Sequence, residues 1–129
     1  MQRKHRQQMN DQEIAFAEAF AHSLSKDWLE QSTHFVQRTQ EKNIDAQSIA
    51  LALKYGKVIE VKDDARIVLR GNKRTGFDYV AIVVVSITDK VLVTAWRNGV
   101  KDDHKTLKRG DYTWRANVID YIKSLRGQK

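Results

Sequence analysis

The chain has no cysteine, no proline and only six glycines among its 129 residues. Without cysteine there are no disulfides, no thiolate zinc sites and no cysteine nucleophile; a reducing compartment suits such a chain. The few glycines form no phosphate-binding loop, no dinucleotide fingerprint and no Gly-x-Ser-x-Gly elbow, so ATP- or NAD-dependent chemistry is not expected. Gly71 and Gly76 read instead as hairpin punctuation. No apolar run approaches the length of a spanning helix. Residues Met1–Asn10 are polar and basic with no apolar stretch behind them, which is not the pattern of a secretory leader. The expectation is a cytoplasmic protein without a membrane partner. Metal ligation finds little support: there is no His-x-x-x-His pair and no calcium-loop pattern, and Asp102-Asp103-His104 is the nearest approach. No metal and no cofactor are expected.

What the chain does have is positive charge. Twenty-three Lys and Arg face sixteen Asp and Glu, a net +7, with a pI near 9.7. Such a balance attracts polyanions and speeds encounters with them. Nucleic acid, RNA above all, is the expected partner, and an acidic antitoxin or immunity protein is a second. Charge of this size also serves solubility alone.

With neither a repeat nor a break in composition, the chain reads as a loose basic arm over residues 1–10 and one α+β domain over 11–129. The expected architecture is N-terminal helices, then a four-stranded, mainly antiparallel sheet, then a C-terminal helix. Ile14, Ala17, Phe20, Leu24 and Trp28 recur at helical spacing and predict a first helix over about 11–30. Ser32 opens a second helix over 33–42. Asn43 or Asp45 opens a third, which Gly56 ends. Strands follow at 58–61, 65–70, 77–87 and 91–96. In the second of these, Ile67 and Leu69 face one way and Arg66, Val68 and Arg70 the other. Residues 101–110 form a charged loop, and a final helix spans about 113–125.

There are only four histidines. His5 falls in the arm, and His22 reads as an exposed helical residue. His34 and Arg38 share a helix face at four-residue spacing. His34 suits proton transfer near neutral pH and Arg38 suits bidentate phosphate binding; a structural His–Arg ladder is the plainer reading. His104 is a second acid or base, or a surface residue. Two histidines flanking a ribose suffice for RNA cleavage without metal. Arg66, Arg70, Lys73 and Arg74, with Arg97, Lys105 and Arg109, form a candidate phosphate-tracking set, and Trp96 interleaves with them as a stacking platform. Taken singly, these residues also read as solvated or core positions.

The run Ser32-Thr33-His34 with Arg38, then Lys42-Asn43-Ile44, Ile49, Ala52-Leu53 and Gly56, resembles the opening of a family of small bacterial and phage-associated domains of unknown function. The resemblance continues to Val93-Thr94-Ala95-Trp96-Arg97 and covers about residues 32–97. These domains are similar to BrnT- and RelE-type ribonuclease toxins. The resemblance implies a RelE/BrnT-like fold and a metal-independent endoribonuclease. In it, His34 is the base or acid, Arg38 binds phosphate, and Thr94 with a strand arginine such as Arg66 supports the transition state.

Three functions compete. A toxin-like ribonuclease requires His34 and Arg38 to be accessible and to converge with Thr94, Arg66 or His104. A non-catalytic nucleic-acid-binding or mobile-element accessory protein requires a continuous basic surface with His34 buried or bonded to backbone. A protein-interaction or inhibitor module requires an exposed apolar patch around Phe16, Phe20 or Trp28.

Overall fold

The computed structural model describes residues 2–75, 78–102 and 112–127. In chain order the elements are β1 (Arg3–His5), α1 (Asp11–Leu24), β2 (Glu30–Gln31), α2 (Thr33–Glu41), α3 (Ala46–Tyr55), β3 (Lys57–Lys62), β4 (Arg66–Thr75), β5 (Tyr79–Ser86), β6 (Val91–Gly99) and α4 (Val118–Gly127). A short 3-10 turn, Arg6–Gln8, joins β1 to α1. The helices begin where side chains satisfy their first N–H groups. Asn10 and Glu13 cap α1 reciprocally, Ser32 caps α2 and Asp45 caps α3. The Ser48 hydroxyl and backbone N–H both donate to Asp45, and the hydroxyl above all holds that carboxyl at about 2, below its ordinary 3.8.

The sheet corrects the expectation of four mainly antiparallel strands. It has six among the described residues, in the order β1-β3-β4-β5-β6-β2. It is mixed, because β2 runs parallel to β6 while the other pairs are antiparallel. Both additional strands are polar and carry no alternation of apolar residues. What makes them strands is the unpaired backbone of the neighbouring edge. Glu30 N–H donates to Lys90 O and Ser32 N–H to Leu92 O. The supposedly loose arm is likewise structured, with Arg3, Lys4 and His5 paired to Lys62, Val61 and Glu60.

Helix boundaries differ too. The stripe Ile14 to Trp28 predicts α1 through residue 30, but the helix ends at Leu24. There the Ser25 hydroxyl and N–H both turn back to His22 O, and Trp28 is left 84% exposed. The last helix starts at Val118 rather than 113. Asn117 accepts from Asp120 N–H, while Trp114 precedes the helix and packs edge-on against Tyr121 at 4.7 Å.

One sheet face carries Val58, Val61, Ile67, Leu69, Val83 and Val85 under the helices, which supply Ala17, Ala21, Phe35, Ala52 and Ile122. Each large apolar side chain so buried contributes about 1.5–3 kcal/mol. On the other face Ile59, Val68, Ile82 and Val84 form a smaller cluster. Register shifts at Ile59 and Val93 interrupt the ladder and bring each bulge residue into or against that second cluster. At the β3–β4 turn Ala65 adopts φ 65°. Its N–H donates to the Tyr121 hydroxyl and its carbonyl accepts from Ile87 N–H, so both sides of the turn are held. No helix among the described residues is long and apolar enough to cross a membrane.

A buried carboxylate joins the two ends of the chain. Glu13, 3% exposed, accepts from Lys4 Nζ at 2.8 Å, Val118 N–H at 2.9 Å and Asn10 N–H at 3.1 Å. Burial alone would raise its pKa, but these donors, Lys4 foremost, bring it below the ordinary 4.5. A depressed carboxylate contributes stability above its unfolded pKa and loses it as pH falls through the folded value. Glu13→Gln is therefore expected to destabilise at pH 7 by about 2 kcal/mol or more. Thermal melts across pH should show its deficit against the wild type narrowing below about pH 4.5. Gly56 offers a second test. A methyl group there collides with Ala52 O and lies 3.0 Å from Arg70 O, both backbone atoms that cannot swing aside. Gly56→Ala should lower unfolding free energy by about 1–3 kcal/mol in urea titrations.

Candidate nucleic-acid interface

The second sheet face gathers most of the polar chemistry. The register aligns Arg3, Lys62, Arg66, Ser86 and Val91 in one row across five strands. The next row runs His5, Glu60, Val68, Val84 and Thr94, and a third runs Lys57, Arg70, Ile82 and Trp96. Directly paired residues share a face, so Arg66, Arg70, Thr94 and Trp96 all stand on this side.

Sharing a face does not give them one role. Arg66 is part-exposed, with Nε 3.5 Å from Asp64. Arg70 is 8% exposed, and its Nη2 donates to Gly99 O at 3.2 Å and Val100 O at 3.3 Å. The guanidinium thereby ties the end of β6 to β4. Thr94 is half-buried opposite Val84, and Trp96 is 36% exposed opposite Ile82. Arg66 and Thr94 stand two strands apart and two residues along, on the order of 12 Å between Cα atoms. A ligand touching both must be longer than one phosphate group.

His34 and Arg38 are exposed one turn apart on α2. Arg38 lies 3.5 Å from Glu41. The helix is anchored at its start, where Ser32 Oγ donates to Val93 O at 2.8 Å and accepts from Phe35 N–H. His34 and Thr94 are thus each within two residues of one hydrogen bond. Arg66 is on β4, away from this edge. Lys73 lies 3.5 Å from Asp45, and the Arg97 guanidinium sits 4.6 Å over the Tyr79 ring, so both cations already have partners. Arg74 pairs with Val80 in the β4–β5 ladder, and its side chain lies outside the described residues, as do His104, Lys105 and Arg109.

Two groups on this face escaped the reading of the sequence. His5 is 3% exposed; its Nδ1 accepts from Gln7 N–H and its ring meets Tyr112 edge-on at 5.2 Å. Glu60 is 7% exposed, with Oε1 3.6 Å from Arg3 and 3.8 Å from Lys62. Its Oε2 has no hydrogen-bond partner. A lone carboxylate inside the apolar run Val58–Val61 was the available signal. His22 also departs from expectation: it is half-buried and bonded through Nε2 to Gly56 O at 2.8 Å.

Fold and site together define an α+β domain whose mixed sheet carries a partly polar second face, with a helix exposing His34 and Arg38 at one edge. A family model described as a domain of unknown function, DUF4258, matches residues 31–97, just over half of the chain. The chain belongs to that family. The match takes in α2, α3 and β3 to β5 with most of β6, and leaves β1, α1 and α4 outside. Comparison with curated proteins and with solved structures finds no match.

The Arg70 assignment can be tested by stability. Arg70→Gln should lower unfolding free energy by about 1–3 kcal/mol, whereas Arg66→Gln, on the same strand and face, should stay within about 0.5 kcal/mol of wild type. Equal midpoints for the two variants in urea would contradict the structural role.

Proposed function

We propose that the protein is a cytoplasmic, metal-independent endoribonuclease, toxin-like in the manner of BrnT- and RelE-type enzymes, with its site at the α2–β6 edge. The observation that carries this reading is the accessibility of His34 and Arg38 together, one turn apart, beside the hydrogen bond that fixes α2 to the Thr94 strand. The proposed reaction uses no metal or cofactor. His34 takes the proton of a ribose 2′-hydroxyl, whose oxygen attacks the adjacent phosphorus. The bond to the 5′-oxygen breaks, that oxygen is protonated by water or a second acid, and the products are a 2′,3′-cyclic phosphate and a 5′-hydroxyl. Arg38 neutralises the charge growing on the phosphoryl oxygens, and the Thr94 hydroxyl hydrogen-bonds one of them. An acidic antitoxin or immunity protein is the natural regulator of so basic a chain.

A second reading, binding of nucleic acid without cleavage, is favoured by the separation of Arg66 from Thr94, which suits a strand laid along the sheet better than one reacting phosphate. The protein-interaction reading is weakened by Phe16 and Phe20. Both pack against the core and lie under Lys123 and Arg126, with only Trp28 standing free.

Purified protein is expected to cleave total RNA and tRNA in EDTA. His34→Ala should slow cleavage about a hundredfold or more, and Arg38→Ala about tenfold, with unfolding midpoints unchanged. A folded wild type that leaves these substrates intact would sink the enzyme reading and move the weight to binding.

A further inference from the structure

The last turns of α1 and α3 lie side by side, and a groove of about 600 Å³ opens between them. It is lined by His22, Ser23, Ser25, Lys26, Lys54 and Tyr55. One wall is fixed by the bond from His22 to Gly56 O, which joins the end of α1 to the residue closing α3. A carbonyl can only accept, so Nε2 carries the proton and Nδ1 is the ring's remaining polar atom. The Ser23 and Ser25 hydroxyls donate to Phe20 O and His22 O. What they offer a ligand is lone pairs.

The charge here is unbalanced. Lys26 and Lys54 are exposed, and neither has an ion-pair partner among the described residues, whereas Lys4, Arg6, Lys73 and Lys90 each have one. No carboxylate lines the groove. Asp27, next to Lys26 in sequence, is engaged with Lys90, and Glu18, on α1, is engaged with Arg6 and Val58 N–H. At the rim Tyr55 is 66% exposed. Complementing the negative ends of two helices is the plainer role for the lysines, but that role calls for neither an open groove nor an exposed aromatic ring.

Two unpaired ammonium groups, a flat ring and a set of acceptor atoms fit one chemistry. Phosphates pair with the lysines, a base stacks on Tyr55, and base N–H donors meet the serine oxygens or Nδ1. An acidic peptide would satisfy the lysines, and its N–H groups the acceptors, but it brings no base to stack on the exposed ring. We propose that this groove is an auxiliary subsite for single-stranded nucleic acid, holding phosphates on Lys26 and Lys54 and one base on Tyr55; that the strand is RNA rests on the reading above. Gly56 packs against the Arg70 carbonyl, and Lys57, Arg70, Ile82 and Trp96 follow one another across the sheet. The groove therefore opens on the helix-bearing side, level with the start of β3, and Trp96 stands three strands across from it on the opposite face.

The test uses fluorescence anisotropy with a short, labelled 2′-O-methyl oligonucleotide in EDTA. Such a strand can bind but cannot be cut by attack of its own 2′-oxygen. Lys26→Gln/Lys54→Gln should weaken binding about tenfold and flatten the slope of log affinity against log salt by about 1.4, near 0.7 per phosphate. Tyr55→Ala should weaken it about fivefold or more, and Tyr55→Phe should not. Arg115→Gln/Lys123→Gln, the same charge removed near α4, should match the wild type. Wild-type affinity in the groove variants overturns the proposal. So does a lysine effect that is equal on polyglutamate and absent from Tyr55→Ala, which would assign the groove to an acidic protein. A wild type that binds no oligonucleotide at low salt overturns this proposal together with any nucleic-acid reading. Failure of the enzyme reading alone would look different, as intact RNA in EDTA with the groove-dependent binding preserved.

Discussion

The Glu13 carboxylate is the point at which the chain's flanking segments become one body. Its three donors come from β1, from the N-cap of α1 and from the first residue of α4; all three elements lie outside the family segment. Lys4, which supplies one of them, also donates to Ala116 O, so a single ammonium spans both ends of the chain. Buried charge is costly to desolvate unless every lone pair is met, and here the partners meet it. Next to this knot, Arg6 bridges Glu18 and Val58 O, while Glu18 accepts from Val58 N–H. The added helices and strand are thereby pinned to β3, the edge of the family core.

Parts of this architecture were legible because they depend on local chemistry. The caps of α2 and α3 are side chains of the right type at the right place, and the apolar run of β5 marks a strand covered on both faces. What stayed hidden depends on tertiary context. β1 and β2 have no apolar signature; they are strands because a neighbour's backbone needs partners. Trp28 is in phase with the stripe of α1, so periodicity extends the helix past the turn that Ser25 makes. On the sheet, alternation placed Arg66 and Arg70 on one side but is silent on depth: one guanidinium is at the surface and the other is spent on two carbonyls. The bulge at Ile59 breaks the period beside Glu60, and the reading of residues 1–10 as a loose arm hid the position of His5 opposite it.

The two functional features differ in origin. The α2 edge is made wholly within the family segment, from Ser32 to Thr94. The basic groove needs α1, which the family segment lacks, and α3, which it contains. On the proposed reading, a core that acts on a strand and an added helix that helps to hold it are separable duties, and the +7 charge would draw one polyanion to both.

The bond from Ser32 to Val93 has a mechanical consequence. It joins the first turn of α2 to the bulge in β6, while Phe35 fixes the same turn to the core. A load applied at Thr94 or Trp96 is transmitted to His34 through a lever two residues long. The hydroxyl shares that load with the bond from Ser32 N–H to Leu92 O, so removing it would slacken the histidine's bearing while Phe35 still pins the helix in the core.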